Sequence, residues 1–233
     1  MNCMGHDMIA VLAHSPLFGN IDTDSLSSVL GCLQPKIATY PKSSYIALAG
    51  EDFAGLGIVL AGKATVIKEN AAGCRIVMSS LEAGDIFGEM IAFSSRSTWP
   101  VSVVAQAEST VMFLPSVQIM GTCPNVCSSH KQLITNMLRI LSEKAILLNR
   151  KVEYLSIRGM REKISSYLLD QHRQTARKTF TLTLNRNDLA DFLNVSRTAL
   201  SREMGRMRDE GLIDFYRSSV KITDLDMLKK VIE

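Results

Sequence analysis

Arg197, Thr198, Ser201 and Arg202 fall at i, i+1, i+4 and i+5 of the segment VSRTALSREMGRMRDEGLI, so a helix there sets all four on one face near its N-terminus. Two guanidiniums and two hydroxyls in that arrangement suit DNA reading. Arginine bonds guanine O6 and N7 in a bidentate way, and serine meets a base edge or a phosphate. Leu200, Met204 and Met207 point to the opposite, inward face. Arg206 and Arg208, further along, are expected at phosphates, which position a protein on the duplex without specifying sequence. In the downstream DFYRSSVKITD, Ser218-Ser219 reads as the turn of a two-stranded wing that holds Arg217 and Lys221 near the DNA backbone.

Other groupings carry less chemistry. Gly57-IVLA-Gly62-Lys63-Ala64 nearly matches the phosphate-cradling G-x-x-x-x-G-K-S/T, but Ala64 stands where the Mg²⁺-holding hydroxyl belongs, and IVLA reads as a strand. A hairpin turn is the expectation. No H-E-x-x-H, G-x-S-x-G or catalytic Cys/His frame occurs, so the chain is read as no enzyme. The five cysteines, Cys3, Cys32, Cys74, Cys123 and Cys127, are odd in number and scattered, which fits reduced thiols better than a disulfide framework. Cys123, Cys127 and His130 have C-x3-C-x2-H spacing, three ligands short of a fourth, so no metal site is assigned. Haem ligation by Cys74, His6, His14 or His130 stays open, as does the cofactor altogether.

The elements that must position these residues are legible in outline. From about Ile37 to Leu114, short apolar runs (YIAL, GIVL, ATVI, RIVM) alternate with glycine or polar turns at the spacing of an antiparallel sandwich or barrel. A short helix is expected before it at Asp24–Leu33. After it, Ile134, Leu138, Leu141, Ala145, Leu148, Val152 and Leu155 follow the 4-3 spacing of a coiled-coil seam. Leu133, Met137, Ile140, Ile146 and Leu147 widen that stripe, so the same helix can bury one side on its own barrel and another on a partner. Past Gly159 a helix over Met160–His172 precedes Leu184–Ile213, which has helix-turn-helix spacing: Leu189 and Leu193 face inward, Ala190 permits a close crossing, Asn194 takes the left-handed turn, Ser196 caps the second helix and Gly211 ends it.

Of the 233 residues, 46% are hydrophobic and 21% charged, a globular balance with room for one or two domains. The net charge of +3 is uninformative until divided: residues 1–155 hold 11 basic and 12 acidic groups, residues 156–233 hold 15 and 11. The positive balance lies with the helix-turn-helix. No apolar run reaches the ~18–20 residues of a bilayer span. MNCMGHDM has no signal-peptide character, so a cytoplasmic protein without a membrane partner is expected.

Taken together, Phe18–Leu228 resembles the cyclic-AMP receptor protein / fumarate-nitrate regulator (CRP/FNR) family of bacterial transcription factors. The likeness is carried by KSSYIALAGEDFAGLGIVLAGKATVI, by LEAGDIFGEM, by the long helix and by VSRTALSR. It implies an α+β architecture: an effector-sensing jelly-roll-type β-roll at 1–125, a dimerisation helix at 126–156 and a winged helix-turn-helix at 157–233. It further implies a homodimer on a near-palindromic duplex, allosteric gating by a small effector, and RNA polymerase as a partner. In members that bind cyclic AMP, the resemblance implies Gly-Glu for the ribose and Arg-Ser for the cyclic phosphate. Gly88 and Glu89 are kept, but Trp99-Pro100 stands where Arg-Ser belongs, with Arg96-Ser97 three residues earlier. Neither Trp99 nor Pro100 neutralises a phosphate. The helix hydroxyls that would contact adenine fall at Ala145 and Ile146, both apolar. This argues against cyclic AMP and for a small apolar or aromatic effector, or none, near Phe87, Met90 and Trp99. Thr198 stands where many relatives carry a glutamate that reads cytosine, so base preference there is expected to differ.

Overall fold

The computed structural model describes residues 3–70, 74–121 and 128–232, with side chains described from Met8 onward. It divides into two compact units, Met1–Glu143 and Lys144–Glu233.

The first unit opens with α1 (Cys3–His14), a 3-10 turn at Pro16–Phe18, and α2 (Thr23–Leu33). Asp22 starts α2 by accepting the Ser25 N–H at 2.8 Å. The strands are β1 (Lys36–Tyr40), β2 (Tyr45–Ala47), β3 (Leu56–Ala61), β4 (Ala64–Glu69), β5 (Arg75–Leu81), β6 (Ile86–Phe87), β7 (Ser102–Ala105) and β8 (Ser109–Leu114). They form two four-stranded sheets, β1-β8-β3-β6 and β2-β7-β4-β5, with every pairing antiparallel. Between β6 and β7 lies α3 (Glu89–Ala92), and α4 (Ser116–Met120) follows β8. The expected hairpin at the Gly-Lys string is instead a crossover: Gly62-Lys63 is a two-residue turn that carries the chain from β3 in one sheet to β4 in the other, and the two strands do not pair. A Cβ on Gly62, at φ +82°, would lie 2.2 Å from the Glu108 carbonyl oxygen, so only glycine fits.

Strand alternation explains why GIVL reads as an unbroken apolar run. Val59, Val111 and Phe113 share one core with Ala64 and Val103 of the other sheet. Leu56, Ile58, Met112 and Leu114 point the other way, into a second core with Leu12, Leu26 and Val29 from the N-terminal helices. That second core also takes Leu133, Met137 and Ile140 from α5 (Ser128–Ser156). Asn136, on the same side of α5, is fully buried and donates from Nδ2 to the carbonyls of Leu17 (3.0 Å) and Gly19 (2.7 Å). Its Oδ1 accepts from Gln132 and Arg139, which completes its bonding capacity. The boundary between the units falls inside α5.

The second unit holds the last turns of α5, then α6 (Met160–Thr175), β9 (Thr179–Thr181), α7 (Arg186–Leu193), α8 (Arg197–Asp209), β10 (Ile213–Tyr216), β11 (Ser219–Ile222) and α9 (Leu225–Lys230). Its core joins Tyr154, Leu168, Leu189, Leu193, Leu200, Met204 and Val220. Two details of the expected wing change. It has three strands, β10-β11-β9, because Phe180 pairs with Val220 and both are buried. A third strand covers a hairpin that alone would be marginal. The turn lies at Arg217-Ser218, with Ser219 already in β11, since Arg217 takes the positive φ of +54°. Among the described residues, no helix is long and apolar enough to cross a membrane.

Candidate nucleic-acid interface and effector site

The helix-turn-helix is built by local chemistry. Asn185 caps α7, accepting N–H groups of Asn187 and Asp188 at 2.8 and 3.1 Å. Asn194 ends α7 in the left-handed conformation at φ +54°, and Ser196 caps α8 by accepting the Ala199 N–H at 3.2 Å. Leu200, Met204 and Met207 are fully buried. Arg197, Thr198, Ser201 and Arg202 therefore stand exposed together over the first turns of α8. At the N-terminus of a helix the backbone dipole adds to that positive face.

Arg206, Arg208, Arg217 and Lys221 are exposed as well, but three of them have local engagements. Arg206 bonds Glu203 at 3.3 Å. Arg208 lies 3.6 Å from Asp209 and stacks its guanidinium over Phe215, 5.2 Å from the ring centre. Arg217 covers the Tyr216 ring at 5.4 Å, which places an aromatic and a cation together at the wing tip. Sequence reasoning missed Arg186, whose guanidinium lies 5.1 Å from the centre of the same Phe215 ring and bonds the Met204 sulfur. Burial lowers the Arg186 pKa from its ordinary value. Nothing local marks Arg186 in the sequence, because Phe215 reaches it only through the fold.

A second missed cluster holds the end of α5. The Tyr154 ring packs edge-on against Tyr167 (5.9 Å) and Phe192 (5.5 Å), and its hydroxyl donates to Asp170 at 2.7 Å. Burial, then the bond to Asp170, pushes the Tyr154 phenol far above its ordinary 10.0. A cleft of about 170 Å³ beside it is lined by Glu153, Ile157, Ser166 and Arg173 among others. Both carboxylate oxygens of Asp170 are already used there, by Tyr154 and Arg173.

In the β-roll, part of the expected effector set comes together. Trp99 is only 4% exposed. Its ring centroid lies 4.7 Å from that of Phe53 and 5.9 Å from that of Phe87. Gly88, at φ +84°, passes beneath it, where a Cβ would come within 2.9 Å of Trp99 Cη2. Glu89 is buried at the start of α3. Met90, Arg96, Ser97 and Pro100 are exposed, so no cation among them is drawn into the core beside the indole. Ala145 and Ile146 are exposed on the part of α5 that belongs to the second unit. Phe53 was not anticipated; it reaches Trp99 because Glu51–Phe53 pairs with Ser97–Trp99 through backbone bonds of 2.7 and 2.9 Å.

Along α5, the expected seam splits by exposure. Leu138 and Val152 are each 61% exposed, and Ala145, Leu148 and Leu155 are also exposed, whereas Ile134 and Leu141 are half-buried. Of the candidate redox and metal groups, Cys74 is exposed, and the buried His130 commits Nε2 to the Ile119 carbonyl at 2.7 Å. His14 Nδ1 bonds the Ala10 carbonyl at 2.7 Å. The side chains of Cys3 and His6, and all of Cys123 and Cys127, lie outside the described residues. Among the described residues no three His, Cys, Asp or Glu converge on a metal-sized site.

Comparisons with known proteins agree with this division. The family model for a cyclic nucleotide-binding domain matches residues 37–123, and that for a Crp-like helix-turn-helix domain matches residues 162–231. The chain is 23% identical to the cyclic AMP receptor protein of Thermus thermophilus, over 93% of this chain and 96% of that one. It is 21% identical to the cAMP-activated global transcriptional regulator CRP of Salmonella typhimurium, over 80% and 89%. The crystal structure of the Thermus thermophilus catabolite activator protein superposes with a TM-score of 0.54 at 20% identity, covering 94% of this chain and 98% of that one. At that identity the likeness to the solved structure speaks for the fold alone.

Proposed function

Given that the chain belongs to the CRP/FNR family of transcription regulators, we propose that it acts as a homodimer on a near-palindromic duplex, with α8 in the major groove. The carrying observation is the exposed quartet Arg197, Thr198, Ser201 and Arg202 above the fully buried Leu200, Met204 and Met207. Arg197 and Arg202 are assigned to guanines, with Thr198 and Ser201 beside them on base edges. Arg206, Arg208, Arg217 and Lys221 are assigned to phosphates. The exposed seam of α5 is the surface on which a second copy docks, presenting two recognition helices one turn of DNA apart.

The β-roll gates this activity through a small effector that is not cyclic AMP. A cyclic phosphate needs a cation at its charge. Here that place holds a buried indole wedged against Phe53 and Phe87, followed by an exposed proline. The residues do not fit a cyclic nucleotide; the lining suits an apolar or aromatic compound with Glu89 as its polar end. Any effector shifts the dimer only by its affinity difference between DNA-competent and DNA-incompetent states. By family resemblance, RNA polymerase is the downstream partner, and the cytoplasm is the setting. Selection of bound duplexes from a randomised pool, followed by mobility shift, tests the reading. Enrichment of a two-fold symmetric sequence supports it, and a bound pool that stays random defeats it.

A further inference from the structure

Beside the DNA-reading face of α8 stand two carboxylates seven residues apart, Glu203 within the helix and Glu210 at its C-cap. Seven residues are almost two full turns, so the two project from one flank, ~10 Å apart along the axis. One guanidinium holds both. Arg161, in the first turn of α6, donates from Nε to Glu203 Oε1 at 2.6 Å. Its two terminal nitrogens donate to the two oxygens of Glu210 at 2.7 and 2.8 Å. The cluster is half-sheltered: Glu203 is 13% and Arg161 31% exposed at the side chain. Bonds to Glu210 and then Glu203 raise the Arg161 pKa, and the Glu210 carboxyl is lowered in return.

The apolar contacts of α8 fix its depth more firmly than its rotation. Leu200, Met204 and Met207 hold the inward face, but apolar packing is non-directional and methionine adapts its shape. Two anchor points along a rigid rod define its rotation, and a planar fork tolerates little angular error. We propose that Arg161 is the positioning residue of the recognition helix: by clamping Glu203 and Glu210 it sets the rotation of α8 about its own axis, and hence which base edges Arg197, Thr198, Ser201 and Arg202 meet. The DNA part of this proposal rests on the regulator reading above. Arg161 itself is assigned no contact with DNA.

The test uses the full-length protein, a duplex that the wild type selects from a randomised pool, and a random duplex of equal length. In R161A and in E210Q, the selected-over-random affinity ratio falls by about tenfold, the factor expected from one lost charge-assisted bond. The dependence of affinity on salt keeps its slope. R161K restores charge and random-duplex affinity but not the ratio, because an ammonium has no fork. Removing a carboxylate by electrostatics alone would change both affinities together and leave the ratio intact. An unchanged ratio in R161K and E210Q overturns the proposal. A salt slope lowered by about one ion with the ratio intact also overturns it, since Arg161 would then be a phosphate ligand. Amide exchange of the DNA-free protein decides the clamp separately: α8 loses protection relative to α7 in E210Q, and equal protection refutes the clamp. A wild type that enriches no duplex contradicts the regulator reading, while the exchange result still judges the clamp.

Discussion

Gly88 and Trp99 are in such close contact that a Cβ on the glycine would sit 2.9 Å from the indole Cη2, with Phe53 at 3.0 Å. Gly88 also takes φ +84°, so alanine there meets both a steric and a backbone cost. G88A is expected to destabilise the β-roll by about 2 kcal/mol. Trp99 is the single tryptophan of the chain, so its emission during urea unfolding follows this unit directly. A midpoint equal to that of the wild type would refute the tight contact.

The same indole makes the effector argument measurable. Cyclic AMP is expected to produce no saturable heat and no change in Trp99 emission up to ~1 mM, where binding is worth only about 4 kcal/mol. Micromolar binding by calorimetry would show that a cation reaches the phosphate after all, with Arg96 the first to examine.

Dimerisation through α5 predicts the effect of a charge in the seam. Val152 is exposed in the protomer, so V152D should leave the fold intact, and sedimentation should find it monomeric. Affinity for a selected two-fold duplex should drop by ~100-fold or more, because the two half-sites are then bound independently. A dimeric V152D would place the interface elsewhere.

The base-reading and backbone-holding roles separate by salt and sequence. R202A should cost about 1–3 kcal/mol on the selected duplex and relax selectivity at one base step. K221A should weaken selected and random duplexes alike and lower the salt slope by about one ion. If R202A lost the same factor on both duplexes, Arg202 would be a phosphate contact.

Tyr154 predicts an alkaline limit for the second unit. Its phenol is held above its ordinary 10.0 by burial and by the bond to Asp170. The unfolded chain therefore gives up this proton first, so the stabilisation is complete below pH 10 and drains away as pH rises beyond it. Thermal melts of the wild type should fall steeply above pH 10, and Y154F should be less stable at neutral pH with a shallower alkaline decline. Parallel curves for the two proteins would assign the alkaline loss to other groups.

Much of this protein was legible in the sequence because its signals are local. The cap at Ser196, the left-handed Asn194 and the inward Leu200, Met204 and Met207 each depend on neighbours within a turn or two. The strand runs and the apolar stripe on α5 follow from periods of two, 3.5 and 3.6 residues in the same way, whereas the turn at Gly62-Lys63 reads as a hairpin and is a crossover, because its two strands join different sheets. Tertiary structure decided which part of a wide stripe is covered within each unit: Leu133, Met137 and Ile140 are buried in the roll's outer core, while Leu138, Leu148 and Val152 are exposed. It made the wing three-stranded by bringing Phe180 to Val220 across 40 positions of chain. It also wedged Trp99 between Phe53 and Phe87, and joined Arg161 to Glu203 and Glu210. These contacts link distant segments whose approach no spacing encodes; they form only when burial of the cores closes the loops between them.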